Sequence, residues 1–295
     1  MKFINFSKII IPKFFKNFLI FLPVLISPKE LSSQIIQNLF VGFIIFCTIT
    51  IVVYFTNDYF DKEIDKSNKL KNKKNLSFDI NFKSILALNI FLFLFLYTIS
   101  LFNFFDYLLL AYIFLFYFYT IYGKKIKFLD LILLNSFYFL RLIYGCNLID
   151  VNISLWFTIF FFSLFFILAI FKRYIQIKVN KLDKDNLIIP YSLKDLKIFR
   201  YLIILFSIIT ILIMTLFIFQ ENFYKVEFLS SENTKHIFNK FNYLSILIIY
   251  IINIIYIYKK LIYNQINKDI FEYVLKNKLN ILSTILVLLL LIMDK

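Results

Sequence analysis

Glycine, proline, histidine and cysteine are scarce in this 295-residue chain, and each shortage excludes a kind of function. Three glycines and four prolines leave little material for the interrupted helices of a secondary transporter. The one histidine, His236, has no second His or Cys near it in the sequence, so it makes a poor metal ligand. Cys47 and Cys146 both fall inside apolar runs, which excludes a disulfide framework or a Zn site and leaves them as packing residues. No small-residue cleavage site follows the Lys-, Phe- and Ile-rich stretch Met1 to Lys16, so it reads as mature chain and not as a removable signal. Acid is also short, with 18 Asp and Glu against 33 Lys and Arg and a net charge of +15.

What the chain has in excess is apolar surface. Hydrophobic residues make up 61%, aromatics 21%, and the mean hydropathy is +0.80, well beyond the apolar share of a water-soluble domain. Charge-free runs at 31–57, 84–105, 107–123, 151–171, 201–220 and 241–258 are long enough, or nearly so, to cross about 30 Å of hydrocarbon as helix. Three weaker runs complete the set: 17–28, 279–293, and 128–149, which carries Arg141. The expectation is one all-α, polytopic membrane domain over residues 1–295 with about nine transmembrane helices.

If nine helices alternate, 27 of the 33 Lys and Arg fall on one side, in the N-terminus and in 57–83, 123–127, 172–200 and 259–278. Five fall on the other side, and Arg141 stays inside a span. The positive-inside rule makes the basic side cytoplasmic and the compartment a cell (inner) membrane. A basic face of this kind suits anionic membrane lipids and phosphorylated substrates. Nucleic acid is excluded as a partner, because the aromatics lie in the membrane runs and not between the loop lysines. The abundance of Lys, Ile, Asn and Phe resembles a codon-composition bias, so enrichment in Lys or Phe alone carries no argument.

The stretch with chemical content is Thr56-Asn57-Asp58-Tyr59-Phe60-Asp61-Lys62-Glu63-Ile64-Asp65, which follows 27 uncharged residues without a proline. A helix continuing through it puts Asp58, Asp61 and Asp65 on one face at i, i+3 and i+7, with Asn57 one turn before Asp61. Three carboxylates on one stripe repel one another. Divalent cations relieve that repulsion, and hard oxygen ligands that leave room for substrate oxygens suit Mg²⁺ on a diphosphate. The competing reading is a solvated helix end whose acids offset Lys62, Lys66 and Lys69. The regular spacing at a membrane boundary, where unmatched carboxylates are costly, favours function.

Asn57-Asp58-x-x-Asp61-x-x-x-Asp65 resembles the first aspartate-rich motif of the UbiA superfamily of intramembrane transferases. The resemblance implies nine helices around a central cavity, with two aspartate-rich cytoplasmic loops that hold Mg²⁺ and a diphosphate. Further segments resemble one branch, the decaprenyl-phosphate phosphoribosyltransferases. Pro12-Lys13-x-x-Lys16-Asn17 is similar to that branch's opening motif, with Ile11 and Phe15 where Arg and Trp are usual. Lys71 and Lys74 stand at its Lys and Arg, and Asn75 replaces a proline. Tyr119-Thr120-x-x-x-Lys124, Asp130 and Arg141-x-x-x-Gly145 resemble its next elements, and Lys172-Arg173-Tyr174-Ile175-Gln176 resembles Lys-Arg-x-x-Glu. Because Gln176 replaces that glutamate, a second metal carboxylate must come from elsewhere; Asp183 and Asp185 are the candidates, and an ordinary solvated loop is the alternative.

The resemblance implies a catalytic group of Asn57, Asp58, Asp61 and Asp65, with metal on the three aspartates; Asp183 and Asp185 are candidate further metal ligands that the resemblance itself does not supply. It implies phosphate contacts from Lys13, Lys16, Asn17, Lys71, Lys74, Lys124, Arg141, Lys172 and Arg173. Arg141 also admits a bland reading as half of a buried ion pair on the helix face it shares with Asp130. Tyr119 and Tyr191 read as interfacial anchors. The implied reaction is Mg²⁺-dependent transfer of phosphoribose from a soluble diphosphate donor, phosphoribosyl diphosphate, to a polyprenyl phosphate. The same aspartates would also serve a prenyltransferase that moves a polyprenyl group from its diphosphate to an aromatic acceptor. A transporter or scaffold leaves the acid stripe unexplained.

Overall fold

A computed structural model describes residues 14, 16–27, 32–62, 81–101, 106–179, 190–219, 229–230, 240–262 and 277–293. The fold is all-α apart from one two-residue ladder. A 3₁₀ turn, Lys16–Phe21, leads into α1, Leu22–Ile26. Then come α2, Ser33–Phe60; α3, Phe82–Leu101; α4, Tyr107–Ile121; and α5, Leu129–Leu148. The series closes with α6, Leu155–Val179; α7, Asp195–Phe219; α8, Lys240–Ile262; and α9, Lys278–Met293. Among the described residues six helices are long and apolar enough to cross a membrane, and three shorter apolar stretches accompany them, at Lys16–Ile26, Tyr107–Ile121 and Lys278–Ile292. The chain has a multi-pass membrane fold.

Large apolar side chains stand outward on the helices, Phe93, Phe114, Leu155 and Leu282 among them. In lipid such a face costs nothing, and helix association depends on close packing and on polar contacts between helices. The helix at the centre is α5. Its inward residues include Asp130, Phe137, Tyr138, Arg141 and Gly145, and it packs on α1, α2, α4 and α6.

The two ends of the bundle are separately tied, and the ties agree with alternating spans. At one end Asn152 and Ile153, after α5, pair antiparallel with Ser230 and Leu229, after α7. Asn147 at the end of α5 donates to Asp106 at the start of α4, 3.2 Å away. At the other end Asp61, after α2, meets Lys124, after α4. Lys127 meets Asp195 at 2.9 Å, and Lys178 on α6 donates to the Leu261 carbonyl at 2.6 Å. Described residues bordering four of the basic segments, Asp61, Lys124, Lys127, Lys178, Asp195 and Leu261, thus lie at one end.

The first expected span is described over Lys16–Ile26, 11 residues and about 20 Å at helical rises. Lys16 lies over the Tyr138 ring and the Ile20 backbone lies on Gly145, so this described part runs along the second half of α5. Gly145 permits this contact: a Cβ there would strike the Ile20 carbonyl and come within 3.0 Å of its carbon.

Gly145→Ala should therefore push α1 off α5 and cost about 1–3 kcal/mol, as overpacking against backbone does. Asn135, fully buried on α5 with neither its amide nitrogen nor its oxygen partnered among the described residues, should behave oppositely. Asn135→Leu should stabilise by about 1–3 kcal/mol, the cost of leaving a buried polar group unpaired. Thermal unfolding of the two variants in detergent checks both signs.

Candidate active site

Helix α2 runs unbroken to Phe60, with Asn57 and Asp58 inside it and Asp61 at its C-cap, so it ends short of the expected continuation, and Asp65 lies outside the described residues. Asn57 donates from Nδ2 to Asp61 Oδ2 at 2.8 Å. Its Oδ1 accepts from the Thr120 hydroxyl of α4 at 3.2 Å, which fixes the amide's orientation. A 3₁₀ turn, Gly123–Lys125, follows α4 and returns Lys124 to the α2 end, where its Nζ pairs with Asp61 Oδ1. Asp61 thus has a cation on one oxygen and an amide on the other.

One step along the bundle lies a second polar layer. Asp130 is 0% exposed, and both its oxygens accept from Arg173 of α6, with Nε to Oδ2 at 2.6 Å. Arg173 Nη2 also donates to the Tyr119 hydroxyl at 2.7 Å, and Nη1 donates to Gln176 Oε1. A planar fork is required for this, since one lysine ammonium could not bridge carboxylate, phenol and amide in one plane. The chain enters α5 through Phe128, whose φ of 63° is left-handed and unfavourable for a side chain of that size. Its N–H donates to the buried Tyr191 hydroxyl at 2.9 Å, which holds the bend that aims Asp130 inward. Burial, then the charge of Asp130, pushes the Tyr191 phenol up to about 12, so it stays neutral at physiological pH.

The third layer is halfway through the bundle. Arg141, 1% exposed, donates from Nε to Asn17 Oδ1 at 2.9 Å, from Nη2 to the Tyr112 hydroxyl at 2.7 Å, and from Nη1 to the Phe137 carbonyl. Its guanidinium also lies 5.0 Å from the Tyr112 ring and 5.4 Å from the Phe46 ring. Asn17 in turn donates to Cys47 Sγ and Thr50 Oγ1, each at 3.3 Å. Aromatic rings connect this layer to the one above: Phe116 lies 5.2 Å from Phe137, and Phe137 lies 5.5 Å from Tyr119.

Of the residues expected from sequence, the structure gathers Asn57, Asp58, Asp61 and Lys124 at the end of α2, and Lys16, Asn17 and Arg141 at mid-depth. Lys172 is half-buried on the same turn of α6 as Arg173. Lys13, Asp65, Lys71, Lys74, Asp183 and Asp185 lie outside the described residues. The bland alternative for Arg141, a pair with Asp130, is corrected: 11 residues of helix separate them by about 16 Å, and Asp130 belongs to Arg173. Tyr119 and Tyr191 are not interfacial anchors but hydrogen-bonding partners inside the site. Tyr112 and Thr50 are not marked by the sequence, because a hydroxyl on an apolar helix has no spacing signal, whereas Thr120 belongs to the Tyr119-Thr120-x-x-x-Lys124 element.

The donor chemistry suits a hard cation. Asp58 and Asp61 offer carboxylate oxygens one turn apart, with no nitrogen or sulfur ligand beside them, and such a pair completed by substrate oxygens and water is how Mg²⁺ is usually bound. Among the described residues no three His, Cys, Asp or Glu converge on one point.

No protein-family model matches the chain, and no curated protein matches it. Among solved structures it is similar to a digeranylgeranylglyceryl phosphate synthase in membranes, at 17% identity over 99% of this chain and 98% of that one, with a TM-score of 0.60. At that identity the likeness shows the fold, and it agrees with the all-α, roughly nine-helix membrane architecture expected from sequence.

Arg173→Gln or Asp130→Asn alone should each destabilise by about 3–5 kcal/mol, because either leaves an unmatched charge in a dry layer. The double variant should recover much of the loss. Thermal unfolding in detergent of the two singles and the double is the check; additive losses would mean the pair is not the tie described.

Proposed function

We propose that the chain is a UbiA-type transferase that moves phosphoribose from phosphoribosyl diphosphate to a polyprenyl phosphate, with Mg²⁺ held by Asp58, Asp61 and Asp65. The observation that carries the reading is the meeting of the α2 acid stripe with Lys124 at the mouth of a bundle whose interior continues to further buried cations. A water-soluble donor needs the charged mouth, and a lipid acceptor needs the interior reached from the bilayer. Mg²⁺, when bound, would supply positive charge to the departing diphosphate.

The chain's own residues do the remaining work. Asn57 holds Asp61 in register with Thr120 of α4, so the carboxylate is oriented before any ligand arrives. Lys124, buried to 8% exposure, lies where it can turn from Asp61 to a phosphate oxygen. Lys172 and Lys16, and Lys13, Lys71 and Lys74 beyond the described residues, are further phosphate contacts in this reading, and Asp183 and Asp185 further metal oxygens. In the reaction an acceptor phosphate oxygen forms the bond to the anomeric carbon while the bond to diphosphate breaks, and diphosphate leaves with the electron pair. No protein nucleophile is needed; positioning and charge suffice.

A second reading, prenyl transfer from a polyprenyl diphosphate to an aromatic acid, is favoured by the aromatic residues between the layers, Phe116, Phe137 and Tyr112. It also agrees with a fold neighbour whose name describes synthesis of a prenylated lipid phosphate. In both readings the basic end faces the cytoplasm of a cell (inner) membrane.

Membrane vesicles offered labelled phosphoribosyl diphosphate with a polyprenyl phosphate, or a polyprenyl diphosphate with 4-hydroxybenzoate, decide the chemistry. The first pair should react, in inverted vesicles and not in right-side-out ones, and only with Mg²⁺. Asp58→Asn and Asp61→Asn should each lower the rate at least about a hundredfold with little loss of folded protein. Product from the second pair alone would replace the first reading with the second, and full activity in excess chelator would remove both.

A further inference from the structure

The three arginines of the chain, among 33 Lys and Arg, are Arg141, Arg173 and Arg200. Where lysine dominates so heavily, a buried arginine marks a place that needs a planar, several-donor cation. Arg173 has its counter-charge in Asp130, with phenol and amide completing its fork. Arg141 is as buried and has none: among the described residues its partners are an amide oxygen, a backbone carbonyl, the phenols of Tyr112 and Tyr54 and two ring faces, all neutral. The N-terminal segment beside it brings no acid either, since the first acid in the chain is Glu30. Lys16, over Tyr138 on the same face of α5, adds positive charge to the layer. Ring faces recover only part of the cost of a dry cation, about 2 kcal/mol against several per ion.

We infer that Arg141 receives the anionic head of the acceptor substrate at mid-membrane, and that Arg173 does not. The guanidinium has five N–H groups, and its neutral neighbours leave a donor over for a phosphate or carboxylate. Its separation from the metal end fits a second substrate. Thr50, which touches the Asn17 amide, precedes Asp61 by 11 residues of α2, about 16 Å. Two metal–oxygen bonds of about 2 Å each, an attack distance of about 3 Å and a hydrogen bond of about 3 Å fit inside that length with room for a diphosphate. The inference rests on the transferase reading for calling the anion an acceptor. It holds for either acceptor chemistry, a lipid phosphate or an aromatic carboxylate, and the test separates them.

The test is ligand-dependent thermal stability of the purified protein in detergent with excess chelator, using farnesyl phosphate, 4-hydroxybenzoate and, as the uncharged control, farnesol. One of the two anions should raise the melting temperature of the wild type and of Asp58→Asn by several degrees, and farnesol should not. Which anion does so identifies the acceptor class. Arg141→Gln should abolish the shift, and Arg141→Lys, which keeps charge but loses the fork, should weaken binding about tenfold to a hundredfold. Arg173→Gln should lower the melting temperature without ligand and leave the shift intact. If neither anion stabilises the wild type, or farnesol matches them, the inference fails even where Arg141→Gln does not fold. If the shift survives in Arg141→Gln, another cation holds the anion. Binding without turnover of either donor pair would instead overturn the transferase reading and leave the anion site standing.

Discussion

A charge inside hydrocarbon must find a partner or be expelled, and in this bundle that constraint fixes which helices touch and where. Removing one partner of a buried pair costs about 3–5 kcal/mol, whereas apolar helix faces gain little by meeting one another in lipid. The Asp130–Arg173 pair therefore ties α5 to α6 with a specificity that side-chain packing alone lacks, and Tyr119 brings α4 to the same point. At mid-depth Arg141 does the same for the 3₁₀ turn before α1 and for α4 through Asn17 and Tyr112. Gly145 makes room for the first of these contacts, so a missing side chain and a charged one cooperate within one turn of α5.

The same constraint sorts the cations by task. A cation already matched by a carboxylate is a strut, and a cation matched only by neutral dipoles is available to an anion. Arg173 is the first kind and Arg141 the second. Lys124 is intermediate: its partner Asp61 belongs to the acid stripe, and an ion binding there would compete for that carboxylate and release the ammonium toward a phosphate. Under the proposed reading, a hard-cation site at the basic end and an anion site about 16 Å deeper would stand in the order needed to join a soluble diphosphate donor to a membrane-borne acceptor.

Much of this was legible in the sequence because period and charge survive translation into structure. Asn57, Asp58 and Asp61 follow an unbroken apolar helix and stay on it, so their spacing gave their face directly. The sidedness of lysine gave the grouping of the loops that the end-to-end ties repeat. What could not be read was the partner of each charge. Asp130 and Arg141 share a face of α5, which invites a pairing between them, yet α6 brings Arg173 from 43 residues away to Asp130. Gln176, where the resembling motif has glutamate, accepts from Arg173 through its amide oxygen, so the Asp130–Arg173 pair keeps its charge balance. Hydropathy locates the first apolar run in the sequence but not its place in the bundle, which the contact of Ile20 with Gly145 supplies.

The central claim is that the acid stripe at the end of α2 holds a divalent cation together with a diphosphate. Electron paramagnetic resonance of Mn²⁺ added to the purified protein in place of Mg²⁺ tests it without any assay of turnover. Bound Mn²⁺ should be weak with the protein alone, tighten when inorganic diphosphate is present, and disappear in Asp58→Asn and Asp61→Asn. Equal Mn²⁺ binding in the wild type and the two variants, with or without diphosphate, would contradict the account.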